Sequence, residues 1–159
     1  MAAGGTPATA LLNRQRVRHT LHPYDVPVDT PDYGRAVAEA LGVPAHQLFK
    51  TLVTEVDGAL TVAVVPVTGG LDLKALAAAV AGKRATLADQ AVAERATGYV
   101  RGGISPLGQR KRLPTVIDAS VEELPTVYVS AGRRGLQVAL APADLIRLTG
   151  AVLAPVARA

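Results

Sequence analysis

Phe49-Lys-Thr-Leu-Val-Thr-Glu-Val56, then Asp57-Gly58, then Leu60-Thr-Val-Ala-Val-Val-Pro-Val67 is the stretch on which the fold turns. Both arms are rich in β-branched residues. The Asp-Gly pair between them suits a tight turn with positive φ at both central positions, which Gly adopts freely and Asp tolerates. The pattern predicts a hairpin at the centre of the sheet.

Working outward, Asp72 is placed to cap a helix from Leu73 to Ala81 with Gly82 beyond its end, and Asp89 to cap a second from Gln90 to Thr97 before Gly98. The segment Arg101-Gly-Gly-Ile-Ser-Pro-Leu-Gly108 reads as a loop, because its three Gly and one Pro disfavour either regular element. A strand is expected at Thr115–Ile117, and two more at Thr126–Ser130 and Leu136–Leu140 with Gly132-Arg-Arg-Gly135 turning between them. Pro142 opens a last helix to Thr149.

Toward the N-terminus, Asp32 to Leu41 reads as a helix stopped by Gly42. The segment before it, His22 to Pro31, holds three prolines in ten residues and must be a loop. A strand at Val17–Leu21 and a helix opened by Thr6-Pro7 and ending near Arg14 complete the reading. Strands and helices mix without strict βαβ alternation, which predicts an α+β fold with a mixed, mainly antiparallel sheet, in one compact domain over residues 1–159.

Composition narrows the chemistry. The chain is 49% hydrophobic but only 3% aromatic with no Trp, so its core is built from Ala, Val and Leu, and platforms for stacking bases are not expected. No cysteine is present, so disulfides, thiolate metal sites and a Cys nucleophile are excluded. His19, His22 and His46 lack metal-ligand spacing, and no metal or cofactor is expected. The longest apolar run, Ala75–Ala81, is far short of the roughly 20 residues that span a bilayer, and no leader pattern opens the chain, so a soluble cytoplasmic protein without a membrane partner is expected. Seventeen basic residues, 13 of them Arg, against 13 acidic ones give a net charge of +4, which suits a polyanionic partner.

Two features can carry chemistry. Adjacent glycines at Gly102-Gly103, followed by Ile104, Ser105 and Pro106, let peptide N–H groups approach a ligand without interference from a Cβ, as in an oxyanion hole; the same loop also reads as a plain structural turn. Lys50 at the start of the central strand is either a cation poised for phosphate or a developing oxyanion, or a solvated strand end whose stem packs on the core. No phosphate-binding glycine motif and no G-x-S-x-G elbow is present. Arg110-Lys111-Arg112 and Arg133-Arg134 read first as solvated surface, though beside glycine-rich turns they also suit a phosphate backbone.

Together, Leu48-Phe-Lys-Thr-Leu52, Leu71-Asp-Leu-Lys74, Thr97-Gly-Tyr-Val-Arg-Gly-Gly-Ile-Ser-Pro-Leu-Gly108, Arg112-Leu-Pro-Thr115 and Val127-Tyr-Val-Ser-Ala-Gly-Arg-Arg-Gly-Leu136 resemble the YbaK/EbsC type of Cys-tRNA(Pro) deacylase. That family is related to the editing domain of bacterial prolyl-tRNA synthetases and has a mixed sheet wrapped by helices. The resemblance implies hydrolysis, without metal or cofactor, of the ester joining cysteine to the 3′ end of tRNA for proline, after its release by the synthetase. Such a second sieve is needed because one pocket separates similar small substrates by only about 1–3 kcal/mol.

By resemblance, Lys50, Gly102 and Gly103 are catalytic, and Tyr24, Thr51, Ile104, Ser105, Pro106, Ser130 and Gly132 bind substrate. Arg110, Lys111, Arg112, Arg133 and Arg134 would hold the tRNA, whose identity is read either by this protein or, as its few stacking residues favour, by a partner such as prolyl-tRNA synthetase. The substrate's own thiol would be the nucleophile. Close relatives carry an acidic residue where Gln137 stands, which bears on amino-acid selectivity. A deacylase for alanyl or seryl esters, or a non-catalytic module binding tRNA or a synthetase through its basic face, are the competing expectations.

Overall fold

The computed structural model describes residues 5–159; the first four residues of the domain expected over 1–159 lie outside it. The hairpin forms as expected. β2 (Phe49–Val56) pairs antiparallel with β3 (Ala59–Pro66) through Asp57 and Gly58, which take φ of 51° and 85°. The Asp57 carboxylate then accepts the N–H groups of Lys83 (2.9 Å) and Arg84 (3.0 Å), which docks β5 (Ala85–Leu87) against the far side of β2. β3 pairs in parallel with β6 (Thr115–Asp118), and β6 in parallel with β9 (Val152–Ala154), so the sheet runs β5-β2-β3-β6-β9 with the hairpin near its centre.

The other long strands form a separate sheet. β1 (His19–Pro23), β8 (Leu136–Leu140) and β7 (Val127–Arg133) pair antiparallel in the order β1-β8-β7. β1 starts and ends two residues later than the sequence suggests. Arg16 takes φ 56° and the Val17 N–H donates to Leu12 O, so the chain is still closing its first helix there. Pro23 is accommodated because β1 is an edge strand, where a missing N–H costs no ladder bond. β7 continues past Ser130 through a bulge between Ser130 and Arg133, so Gly132 lies inside a strand and the turn narrows to Arg134-Gly135. A third, two-stranded pairing joins β4 (Gly70–Leu71) to β10 (Ala157–Arg158).

Residues of β3 alternate between two cores. Val62 and Val64 join α1 (Pro7–Arg14), β7, β8 and α5 (Pro142–Thr149) in the larger core, while Ala63 and Val65 face α3 (Leu73–Ala79). A strand covered on both faces reads as a continuous apolar run, which is what Val62–Val65 is. α1 is fastened by a capping box between Thr6 and Thr9, and the Thr6 hydroxyl donates to Ala131 O on β7. α3 stops two residues before the expected Ala81, whose φ of 58° is left-handed. α2 (Tyr33–Leu41) and α4 (Gln90–Thr97) hold near their expected bounds.

Asp118 fastens the C-terminal segment. It is 6% exposed, and its Oδ1 accepts the N–H groups of Val156 (2.9 Å) and Ala157 (2.8 Å) while Oδ2 accepts Ser120 N–H (3.2 Å) and the Ser120 hydroxyl (2.5 Å). Among the described residues no helix is long and apolar enough to cross a membrane, and no group of three or more His, Cys, Asp or Glu could hold a metal ion.

Candidate active site

β2 changes partners along its length, and the cavity opens where it does so. At its start it is bridged in parallel to β7 through Leu48 and Tyr128; from Thr54 onward it pairs with β5. Between these points the edge of Lys50–Leu52 opposite β3 has no strand partner among the described residues. A cavity of about 350 Å³ lies in this fork, within the range of small-ligand sites.

Lys50 and Thr51 enter it from β2, Ser130 and Gln137 from the β7–β8 pair, and Arg101, Gly102 and Ile104 from the glycine-rich loop. Lys50, half-buried, and Arg101 are the cations of the wall, and no His, Asp or Glu lines it. The surroundings therefore favour negative charge at the cavity, but offer no carboxylate or imidazole as a general base.

Packing fixes the loop. A Cβ on Gly103 would lie 2.7–2.8 Å from the backbone of Arg133 and Arg134, so the loop rests directly on the β7–β8 turn. Gly102 has φ +85°, and a Cβ there would meet Val28 of the proline-rich loop at 2.5 Å. Arg134 Nε donates to Arg101 O (2.7 Å), Glu94 accepts the Arg101 N–H (2.9 Å), and the Tyr99 hydroxyl donates to Leu107 O (2.6 Å). Burial pushes the Tyr99 phenol up to about 12. The N–H groups of Gly102 and Ile104 have no partner among the described residues, whereas Gly103 N–H is spent on Val100 O (2.9 Å).

The residues singled out from sequence divide accordingly. Lys50, Thr51, Gly102, Ile104 and Ser130 share the cavity. Gly103 does not line it and seats the loop instead. Ser105 is fully buried, its Oγ accepting Leu107 N–H (3.2 Å) and its carbonyl accepting the Gln109 amide (2.9 Å), so it braces the loop from behind. Tyr24 stands one residue back: its hydroxyl is 2.8 Å from that of Tyr33, which does line the wall and whose ionisation is pushed up by burial and by that hydrogen bond. Gly132 backs onto Tyr99 and Thr6.

Pro106, Lys111 and Arg112 line a second cavity of about 240 Å³, with Arg14, on the other face of the loop, and Arg110 lies against Gly98. Arg133-Arg134 packs against Arg101, Gly102 and Gly103, at the part of the loop nearest the first cavity. Sequence reasoning missed Tyr33 and Arg101, and noted Gln137 only as a departure. Gln137 is cross-strand partner to Ser130, a neighbourhood legible only once the register of β7 and β8 is known.

Comparison with known proteins places the chain in a family. A protein of Enterococcus faecalis that carries the name Cys-tRNA(Pro)/Cys-tRNA(Cys) deacylase EbsC is 40% identical over 122 residues, which span 76% of this chain and 74% of that one. A crystal structure described as a trans-editing enzyme for prolyl-tRNA synthetase superposes with a TM-score of 0.84 at 21% identity, covering 100% of this chain and 99% of that chain, so the fold is shared. The crystal structure of the hypothetical protein APE2540 superposes with a TM-score of 0.84 at 25% identity, over 96% of this chain and 99% of its own. Residues 28–148 match the model of the aminoacyl-tRNA editing domain. The chain belongs to the aminoacyl-tRNA editing domain family.

Proposed function

We propose that this protein hydrolyses the ester of tRNA for proline mischarged with cysteine, acting on product already released by the synthetase. The observation that carries the proposal is the pairing, along one cavity, of the Lys50 cation with Gly102 and Ile104, whose N–H groups have no partner among the described residues, in a wall without carboxylate or imidazole. The name of the 40% identical relative includes this substrate beside Cys-tRNA(Cys).

In this reading Lys50 balances negative charge growing on the ester, and the Gly102 and Ile104 amides face the acyl oxygen; one aligned donor of that kind contributes about 3 kcal/mol in the transition state. The cysteinyl thiol supplies the nucleophile. Its sulfur bonds to the carbonyl carbon, the bond to the ribose oxygen breaks, the thiol proton ends on the ribose hydroxyl, and water opens the resulting thiolactone. Intramolecular attack needs no protein nucleophile and gains from proximity. Arg133 and Arg134, beside the loop, hold the tRNA near its 3′ end. Arg110, Lys111 and Arg112 act further along the tRNA, and prolyl-tRNA synthetase supplies tRNA identity.

Purified Cys-tRNA(Pro) separates the possibilities. The native protein should release cysteine, and Lys50→Ala should slow release roughly 10²–10³-fold, the cost of removing an oxyanion-stabilising group, without loss of fold. A native protein that binds the charged tRNA and leaves the ester intact would overturn the reading in favour of a non-catalytic binding module.

A further inference from the structure

Two polar atoms in the described residues are buried without a hydrogen-bond partner, Gln137 Oε1 and Thr51 Oγ1, and both residues line the same cavity. Unpaired buried acceptors are uncommon in folded proteins and ask for a cause. Gln137 is only 6% exposed. Neither cross-strand neighbour is hydrogen-bonded to it. Its cross-strand partners are His22 on β1 and Ser130 on β7. His22 Nε2 is bonded to the Thr20 hydroxyl (2.8 Å), and Ser130 Oγ accepts Gly132 N–H (3.2 Å).

Thr51 comes from β2, beside Lys50, and Gln137 from β8, so the two vacant oxygens belong to different strands that line one cavity. The rest of the wall is largely apolar, with Val37, Leu48, Phe49 and Val53. A ligand that satisfies Gln137 Oε1 must bring a hydrogen-bond donor to it.

From this we infer that Gln137 and Thr51 read the side chain of the aminoacyl group and select acyl groups with a hydroxyl or thiol on Cβ over the alanyl group. The inference rests on the cavity being the aminoacyl site. A seryl or cysteinyl group donates to Gln137 Oε1, with Thr51 Oγ1 completing the contact. An alanyl group fills almost the same space and leaves both oxygens unpaired. A site built to bond a substrate hydroxyl rejects the analogue lacking it far more strongly than size alone allows. Selection of this kind is separate from the reactivity of the thiol, because it favours serine over alanine as well, although a serine hydroxyl is the poorer nucleophile.

Binding of two stable amides, 3′-seryl- and 3′-alanyl-amino-3′-deoxyadenosine, tests recognition apart from chemistry. The native protein should bind the seryl compound roughly tenfold to a hundredfold more tightly, the cost of leaving a buried acceptor unpaired. In Gln137→Met, which keeps length and removes the amide, that preference should fall to within about twofold through weaker seryl binding, with alanyl affinity held. Melting of the ligand-free variant should match or exceed that of the native protein, since an unpaired polar group has been replaced by an apolar one.

Equal binding of the two amides by the native protein, an unchanged preference in Gln137→Met, or a lowered melting temperature in that variant would overturn the inference. Release of cysteine from Cys-tRNA(Pro) by the native protein, measured alongside, keeps the two readings apart. An active deacylase without seryl preference loses only this inference, whereas a protein that neither binds the amides nor cleaves the ester loses both.

Discussion

Asp118 and Gln137 are equally buried, each 6% exposed, yet they stand in opposite conditions. Asp118 accepts four hydrogen bonds and ties the C-terminal segment to the end of β6. Gln137 Oε1 accepts none, and neither does Thr51 Oγ1 facing the same cavity. The contrast teaches how to tell structural from ligand-directed polarity. A buried group that the fold needs is saturated by the fold, and a buried group left vacant beside a cavity is held for something from outside.

Substitution at Asp118 should break the comparison on the structural side with the largest effect. Asp118→Ala strands the Val156 and Ala157 N–H groups and should cost about 3 kcal/mol, seen as a fall in melting temperature of roughly 6–12 °C. Deacylation per folded molecule should persist. Loss of activity with unchanged melting would instead mark Asp118 as part of the site. Gly103→Ala comes next, because its Cβ would press on the backbone of Arg133 and Arg134 at 2.7–2.8 Å, where nothing flexible can yield. The expected cost is about 1–3 kcal/mol, together with reduced turnover as the loop lifts away from the cavity. Equal turnover in chemical-denaturant-matched samples would show that the loop's seat is irrelevant to catalysis.

Tyr99 offers a pH-resolved version of the saturated case. Its folded-state pKa of about 12 exceeds the ordinary 10.0, so its contribution to stability is fully present below pH 10 and is lost as pH rises through 12. Melting of the native protein should therefore fall over that window, and Tyr99→Phe should be flatter there while starting lower at neutral pH, having lost the bond to Leu107 O. Parallel pH profiles for the two proteins would contradict this. The smallest effect is expected on the vacant side: Thr51→Val, nearly isosteric, should raise stability by up to about 1 kcal/mol in denaturant unfolding. A clear loss would show that the hydroxyl has a structural partner.

What the sequence discloses of this arrangement follows the range of the interactions. The Asp57-Gly58 turn, the Thr6-Pro7 helix start and the stop at Gly42 are local, and each stands in the structure as its residues require. β4, β5, β9 and β10 are two or three residues long, too short to show a period, and exist because partners far along the chain present an edge. The division into separate sheets, and the parallel pairing of β3, β6 and β9, are long-range outcomes of the same kind. At the site, Lys50 and Gly102 were suggested by motif and local chemistry. The vacancy at Gln137 depends on which strands lie side by side, and Tyr33 and Arg101 on how a helix and a loop pack across them, which no local pattern encodes.

The interrupted edge of β2 has a bearing on solubility. An unpaired strand edge is a template for another chain, and long flat ones invite aggregation. Here the exposed segment is confined to Lys50–Leu52, closed by the bridge to β7 at one end and by β5 at the other, and headed by a charged lysine. A stray strand would find too few residues to zip onto. The molecule can thus leave a stretch of strand edge unpaired beside a cavity while denying it to its own copies.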